Sequence, residues 1–197
     1  GPQFSLPMEQ DSLQNKLCIY HCLFKITLLQ SYLVPDIEII SYNEEEGYIN
    51  GSKTPCKVEY MERNLDKMDE KGKKFYHLFK TFFENNKINV DKVVKNGDVI
   101  SKGEDMQVIA TPGHTPGHMM LYIPEAEILF TGDHVLFDIT PNITVWADDI
   151  HSLNDYMNSL KKTKELPVKI ALPAHRGKHI SLNERIDEIL EHHEERL

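Results

Sequence analysis

The segment from Gln107 to Phe137 contains the residues that decide the fold, and it reads QVIATPGHTPGHMMLYIPEAEILFTGDHVLF. Three apolar runs in it have the composition of short β-strands: Val108–Ala110, Met119–Ile123 and Ile128–Phe130. Thr-Pro-Gly-His-Thr-Pro-Gly-His follows the first run, and Thr-Gly-Asp-His follows the third. Glycine-rich turns that present histidine and aspartate can build a metal site, because zinc and iron bind imidazole and carboxylate. The segment therefore predicts a sheet with a metal-binding edge.

The composition of the chain limits its partners. Its 197 residues, 40% hydrophobic and 27% charged, suffice for one globular domain with a core. The formal charge of −9 argues against a nucleic-acid partner, because phosphate binding requires a basic patch. Local basic strips could still form at Lys71–Lys74 or Lys161–Lys164. No apolar run is long enough to span a membrane and no signal peptide is visible, so we expect no membrane partner.

Cysteine usage indicates the compartment. Cys18, Cys22 and Cys56 are an odd number of thiols without the spacing of a disulfide framework, which predicts a reducing, cytoplasmic location. Cys18 and Cys22 could begin a zinc knuckle, but no second pair completes it. Inert thiols are therefore the favoured interpretation.

The N-terminal part of the chain is predicted to contain few regular elements. Residues 1–12 are expected to be a tag remnant, Gly1–Pro7, and a frayed start, and residues 13–197 a single incomplete domain. The spacing of Leu13, Leu17 and Tyr20 predicts a short helix, and Leu23–Leu29 predicts a buried strand or a continued helix. A further short helix, which Asn43 would cap, is predicted to end near Asn50.

The residues from 58 to 85 have helical apolar spacing. They predict one long helix, or two helices separated at Gly72. Packing of one apolar face on the body of the protein is the favoured interpretation, because amphipathic spacing usually indicates core contact. A lid whose phenylalanines touch an apolar substrate is the alternative.

The pattern after residue 92 alternates short strands with helices, which predicts an α/β fold. Asp148–Lys162 is predicted to be a helix, and Val168–Leu172 a buried strand that ends beside His175. Ser181 and Glu184 have the spacing of a capping box at the start of a last helix, which extends to Arg196.

Three motifs in this part resemble those of the metallo-β-lactamase fold superfamily, in particular its glyoxalase II-like branch of thioester hydrolases and lactonases. They contain His114 in Thr-Pro-Gly-His, Asp133 in Thr-Gly-Asp-His and His175 in Pro-Ala-His-Arg-Gly. Their order and intervals, 19 residues (133 − 114) and 42 residues (175 − 133), support the resemblance. It covers Asn96–Leu197 and, more loosely, Leu23–Asn85.

The resemblance implies an αββα sandwich with two metal ions, zinc or iron, at one edge. His114 would bind the first metal, His175 the second, and Asp133 would bridge them as the catalytic carboxylate beside a shared hydroxide. His118 would form structural hydrogen bonds near the ligands, and His134 would support them or contact substrate. Arg176 and Lys178 could contact an anionic substrate.

The chain also departs from the family pattern. A His-x-His-x-Asp-His motif supplies the remaining ligands in the family, and the segment that best takes its place here is Tyr32–Ile37, where only Asp36 matches. On this alignment, Asp36, Asp133 and His175 could form one weak metal site. The other metal site would keep only His114 and Asp133. Too few residues precede the motif for a complete first sheet, so we expect a homo-oligomer that covers the gap.

These features support two predictions of function. One is a hydrolase with a reduced metal site and weak or lost activity on a small ester-type substrate: a thioester, lactone or phosphodiester. The alternative is a non-catalytic pseudoenzyme that serves as a binding or assembly protein. The surviving residues His114, Asp133 and His175 favour the first prediction, and the missing histidines favour the second.

Overall fold

The computed structural model describes residues 17–19, 38–85, 87, 89–101, 103–148, 150–175 and 181–196, which form two β-sheets and associated helices. The strands are β1 (Leu17–Ile19), β2 (Glu38–Tyr42), β3 (Lys92–Val94), β4 (Val99–Ser101), β5 (Asp105–Ala110), β6 (Met119–Ile123), β7 (Ile128–Gly132) and β8 (Ile170–Pro173). The helices are α1 (Asn43–Ile49), α2 (Cys56–Arg63), α3 (Glu70–Asn85), α4 (Ser152–Thr163) and α5 (Leu182–Glu194), with a 3-10 turn at Leu65–Lys67.

The second sheet has the strand order β4-β5-β6-β7-β8. Its first four strands form an antiparallel meander, and β8 pairs in parallel with β7. Since β5 and β7 are both antiparallel to β6, the strands β5, β7 and β8 all run in one direction. Their carboxyl ends therefore lie at the same edge of the sheet, and the start of β6 lies there as well.

The first sheet contains the parallel strands β1, β2 and β3, in that order. Parallel neighbours cannot be joined by a tight turn and need a long crossover. The crossover from β2 to β3 contains α1, α2 and α3. The helical segment thus connects two strands of the first sheet.

Two apolar cores separate the layers. Between the sheets, side chains of β2 and β3 meet those of β4, β5 and β6. On the opposite face of the second sheet, β5, β6 and β7 pack against α4 and α5. Every residue of β6 is buried because both of its faces are covered. The predicted αββα architecture is confirmed, with three described strands in the first sheet and five in the second.

Helices α2 and α3 pack on each other through a smaller cluster that includes Val58, Met61, Tyr76 and Phe79. The two helices are separated at residues 64–69, so the predicted break at Gly72 is wrong. The side chain of Asp69 accepts a hydrogen bond from the Gly72 amide (2.7 Å), which caps the start of α3. Gly72 therefore lies inside the first turn of the helix.

Several other local predictions are wrong. Leu17 lies in β1 instead of a helix, because parallel pairing with β2 determines the conformation there. Neither Asn43 nor Ser181 caps a helix through its side chain: Tyr42 precedes α1, and Ser181 makes no side-chain cap bond. Helix α4 begins at Ser152, four residues later than predicted.

Strand β8 was predicted to be buried, but it is the edge strand of the second sheet. The side chain of Ile170 is 46% exposed.

Residues 1–12, the run Leu23–Leu29 and Asp36 lie outside the described residues. Among the described helices, none combines the length and apolar character needed to cross a membrane.

Candidate metal centre

The sheet topology brings the three predicted motifs to one edge. His114 lies in the loop between β5 and β6, Asp133 directly follows β7, and His175 lies two residues beyond β8. The carboxyl ends of these three strands form a single edge of the second sheet. Side chains that are up to 61 positions apart in the sequence (175 − 114) thus reach the same region.

His114 is buried, with 7% of its surface exposed. Its Nδ1 lies 3.0 Å from the carbonyl oxygen of Asn142, and a carbonyl can only accept, so Nδ1 carries the proton. Its Nε2 is buried and has no hydrogen-bond partner among the described residues. Burial lowers the pKa of His114, although Asp133 and the bond to Asn142 oppose this shift. A neutral imidazole with its lone pair on Nε2 is the form that binds a metal.

Asp133 is the second buried group, with 6% of its surface exposed. Its Oδ1 lies 3.3 Å from Nε2 of His175, whose side chain is 48% exposed. That contact does not have hydrogen-bond geometry, and Oδ1 has no hydrogen-bond partner within the described part of the chain. A buried carboxylate oxygen beside two imidazoles is a donor set that suits zinc or iron.

His118 lies beside His114, with ring centroids 6.3 Å apart, and His134 lies next to His118. The Nδ1 atom of His118 is 2.7 Å from the hydroxyl of Thr111, and the ring is fully buried. The backbone carbonyl of His134 accepts a hydrogen bond of 2.8 Å from the Tyr156 hydroxyl. The centroids of the two imidazole rings are 4.9 Å apart. Their predicted roles as supporting residues stay predictions, consistent with this packing.

Helix α4 holds the turn that carries His114. Ser159 donates a hydrogen bond of 2.8 Å to the carbonyl of Pro112. Gly113 has a φ of +140°, and a Cβ atom there would lie 2.4 Å from Cα of Tyr156. Only glycine permits both this φ and this approach of the turn to the helix backbone. The glycine of the first Thr-Pro-Gly-His repeat therefore has a packing role.

Glu45 is a residue of this region that the sequence analysis did not identify. It lies on α1 and is buried, and its Oε1 accepts a hydrogen bond of 2.8 Å from the amide of Gly117. The bond ties the second Thr-Pro-Gly-His repeat to the helix that follows β2. In the sequence, Glu45 is one of three consecutive glutamates at a helix start, and nothing local distinguishes the buried one.

The loop after Asp133 supplies two further contacts that the sequence analysis missed. Asn142 accepts from the His114 ring, and the indole Nε1 of Trp146 donates to the His114 carbonyl at 3.1 Å. Trp146 is buried and is the single tryptophan of the chain. A lone tryptophan in a loop is a signal that could have drawn attention to this segment, because loops are usually exposed.

The described residues do not complete a metal cage. Within the described ranges, no group of three or more histidine, cysteine, aspartate or glutamate side chains is arranged to hold a metal ion. The structure brings His175 to Asp133 and places Asp133 near enough to His114 to influence its pKa. Asp36, the predicted weak ligand, lies outside the described residues.

Comparison with protein families gives a match over residues 53–175, which fit the family described as the metallo-beta-lactamase superfamily. A beta-lactamase-like protein 2 homolog from Caenorhabditis elegans is 39% identical over 95 residues, which cover 48% of this chain and 30% of that protein. An atrochrysone carboxyl ACP thioesterase from Aspergillus fumigatus is 32% identical over 109 residues, which cover 50% of this chain and 32% of that enzyme. This chain thus spans about a third of these relatives.

Solved structures show the same fold. A metallo-beta-lactamase family protein from Thermus thermophilus superposes with a TM-score of 0.71 at 22% identity, covering 92% of this chain and 61% of that one. An archaeal metallo-beta-lactamase superfamily protein from Sulfolobus tokodaii gives a TM-score of 0.55 at 21% identity, covering 90% and 67%. At 21–22% sequence identity, this structural similarity shows a shared fold and carries no statement about a shared activity.

Proposed function

Because this chain belongs to the metallo-beta-lactamase superfamily, we propose that it is a metal-dependent hydrolase with a reduced metal site, which acts on a small ester-type substrate. The observation that carries the proposal is a pair of buried atoms, Nε2 of His114 and Oδ1 of Asp133. Neither atom has a hydrogen-bond partner among the described residues. Each buried acceptor left in this state costs about 1–3 kcal/mol. A cation bound by both atoms would offset that cost.

The residues of the site would have distinct roles. His114 and Asp133 would hold the ion, and the half-exposed His175 beside Asp133 would have to turn toward the ion to add a third ligand. When bound, zinc or iron would supply Lewis-acid activation of water and of the substrate carbonyl. The Asn142 carbonyl fixes the tautomer of His114 and leaves the lone pair on Nε2. Asp133 would also accept the proton that the attacking water loses.

Thioesters are the substrate class that we propose to test first. One relative, the atrochrysone carboxyl ACP thioesterase from Aspergillus fumigatus, shares 32% identity over half of the present chain. Lactones and phosphodiesters remain alternatives, because the same donors could activate water toward any of these centres.

A non-catalytic role is the second candidate function. The 3.3 Å contact between Nε2 of His175 and Oδ1 of Asp133 supports it, because the two side chains approach each other directly, as in a structural pair that needs no metal. In that case the three motifs would be structural, and the protein would serve in binding or assembly.

The two candidates differ in metal content and turnover. We would measure zinc and iron in protein purified without added metal, and hydrolysis of thioester, lactone and phosphodiester model substrates. The hydrolase proposal expects about one metal ion per chain, lost in His114→Ala and Asp133→Asn but retained in His77→Ala, whose histidine is exposed on α3. No bound metal together with no turnover would leave the non-catalytic role.

We also propose that a second copy of the chain covers part of the second sheet. Phe130 and Ile170 are 37% and 46% exposed. Pairing of Ile128 with Ile170, and of Phe130 with Leu172, places these apolar side chains on the sheet face that β1, β2 and β3 leave partly open. Sedimentation should show a dimer or larger species, which Phe130→Ser shifts toward monomer. A wild-type monomer at micromolar concentration would contradict the proposal.

We also propose a small-molecule substrate and a cytoplasmic location for this protein. The net charge of −9 favours a small-molecule substrate over nucleic acid. Cysteines without a framework spacing favour a reducing, cytoplasmic compartment, and Cys56 is a free thiol. Fractionation of cells that produce the protein would test the location.

A further inference from the structure

Residues 142–146 hold His114 at two points. At one end of this segment, the Asn142 carbonyl accepts a hydrogen bond of 3.0 Å from the His114 ring. At the other end, the Trp146 indole donates one of 3.1 Å to the His114 carbonyl. The orientation of the imidazole therefore depends on the position of this loop segment, which contains no helix or strand of its own.

A third contact holds the same segment between those two points. The ammonium group of Lys57, in the first turn of α2, donates a hydrogen bond of 3.1 Å to the hydroxyl of Thr144. It also donates to the backbone carbonyl of Val145. Lys57 and Thr144 are 87 positions apart in the sequence, so only the folded chain brings them together.

We propose that Lys57 is a positioning residue for the candidate metal ligand His114, and that it acts through Thr144 and Val145. This inference rests on the proposed function, because it takes His114 to be a metal ligand. It makes α2 part of the site, because the helix fixes the loop that orients the imidazole. Supporting contacts of this kind keep a ligand in one tautomer and one orientation.

The surroundings of Lys57 agree with such a role. The ammonium lies 5.4 Å from the centre of the Tyr60 ring, which packs against its side chain. Burial lowers the pKa of Lys57, and the partly desolvated ammonium donates to its two acceptors in the loop. A second, exposed contact between α2 and the loop joins Arg63 to Asp148 at 3.4 Å, and surface pairs of this kind contribute little.

The fluorescence of Trp146 tests the contact without any metal. Trp146 is the single tryptophan and is buried, so its emission reports on residues 142–146 directly. We expect Lys57→Met to shift the emission to the red and to increase quenching by acrylamide. Lys80→Met is the matched control, because Lys80 pairs with Glu62 elsewhere in the α2–α3 hairpin. Lys57→Arg, which keeps a cationic donor, should restore most of the wild-type signal.

Metal affinity tests the consequence for His114. We would titrate the wild type and the variants with Zn²⁺ against a chromophoric chelator, and expect Lys57→Met to weaken binding roughly 10–100-fold. Thr144→Val removes one of the two acceptors and should weaken binding less, and this variant remains informative if Lys57→Met does not fold. The ¹⁵N signals of His114 should show loss of the single Nδ1–H tautomer in Lys57→Met.

The outcomes separate this inference from the proposed function. If the wild type binds no Zn²⁺, the proposed function fails, while Trp146 fluorescence and the His114 tautomer still decide whether Lys57 positions the ring. Fluorescence, tautomer and affinity all unchanged in Lys57→Met would overturn the inference. An equal effect of Lys80→Met would also overturn it, because the response would then be unspecific.

Discussion

Replacement of Gly113 by alanine tests the close packing of the His114 turn on helix α4. Two costs are expected. The φ of +140° lies in a region that residues with a Cβ rarely adopt. In addition, the new Cβ would lie 2.4, 2.5 and 2.6 Å from three atoms of Tyr156 (Cα, Cβ and N), two of which belong to the helix backbone. Backbone atoms of a packed helix cannot move away by a change of rotamer.

Gly97→Ala is the matched control for the magnitude. Gly97 also has a positive φ, +87°, but a Cβ there would meet nothing within 4 Å. It should lower the free energy of unfolding by about 1–2 kcal/mol, the cost of the left-handed conformation. Gly113→Ala should cost about 1–3 kcal/mol in backbone strain and about 1–3 kcal/mol more in overpacking. The difference between the variants, beyond their difference in backbone strain, reports on the contact with Tyr156.

Urea unfolding followed by Trp146 fluorescence would measure both variants. Gly113→Ala should lower the midpoint clearly more than Gly97→Ala, with similar denaturant slopes. If the two variants lose the same stability within about 0.5 kcal/mol, a typical limit for neutral surface changes, the packing of this turn against Tyr156 is wrong. The position of His114 relative to α4 would then need revision.

Two further substitutions test other contacts of the site region. Glu45→Ala should lower the free energy of unfolding by about 1–3 kcal/mol, because the buried Gly117 amide loses its acceptor. Glu44 is exposed, so Glu44→Ala should change this free energy by less than about 0.5 kcal/mol. Equal losses for the two variants in urea unfolding would refute the role of Glu45. His193 has a lowered pKa, chiefly from burial, with smaller contributions from His192 and Arg196. Between its unfolded pKa of about 6.5 and the lower folded value, the unfolded chain binds more protons, so stability falls as the pH falls through this window. In unfolding experiments between about pH 7 and pH 5, the stability of His193→Gln should fall less steeply than that of the wild type. His151→Gln, at an exposed position, should follow the wild type. A stability curve for His193→Gln parallel to that of the wild type would contradict this prediction.

Apolar runs bounded by turn residues predict the second sheet well. Met119–Ile123 is a strand with the predicted bounds, and β5 and β7 include the predicted runs. Both faces of β6 are buried, and β5 and β7 each bury at least one face. Hydrophobic pattern and tertiary environment therefore favour the same conformation. Helix starts were predicted less well. Asn43 and Ser181 are good N-cap residues, but neither side chain caps its helix, and the unnoticed Asp69 caps α3.

The sequence indicates candidate site residues but shows little of what surrounds them. His114, Asp133 and His175 stand in short motifs that a sequence shows directly, and their roles as ligands stay predictions. Glu45, Trp146 and Lys57 contact the same loops from positions that are 32 to 87 residues away from their partners. No local pattern distinguishes Glu45 from its neighbour Glu44, because burial of one and exposure of the other depends on what α1 packs against.

The sequence by itself determined which segments form most of the strands and helices and which motifs carry histidine and aspartate. Those features depend on backbone sterics and on the spacing of apolar residues over a few positions. Only the tertiary structure decided that the three motifs share one sheet edge and that α1, α2 and α4 hold the loops between them. It also decided that, among the described residues, His114 and Asp133 are buried with acceptor atoms that lack a hydrogen-bond partner. Gln107–Phe137 therefore identifies the fold, while the packing of distant helices on its turns determines what His114 and Asp133 can bind.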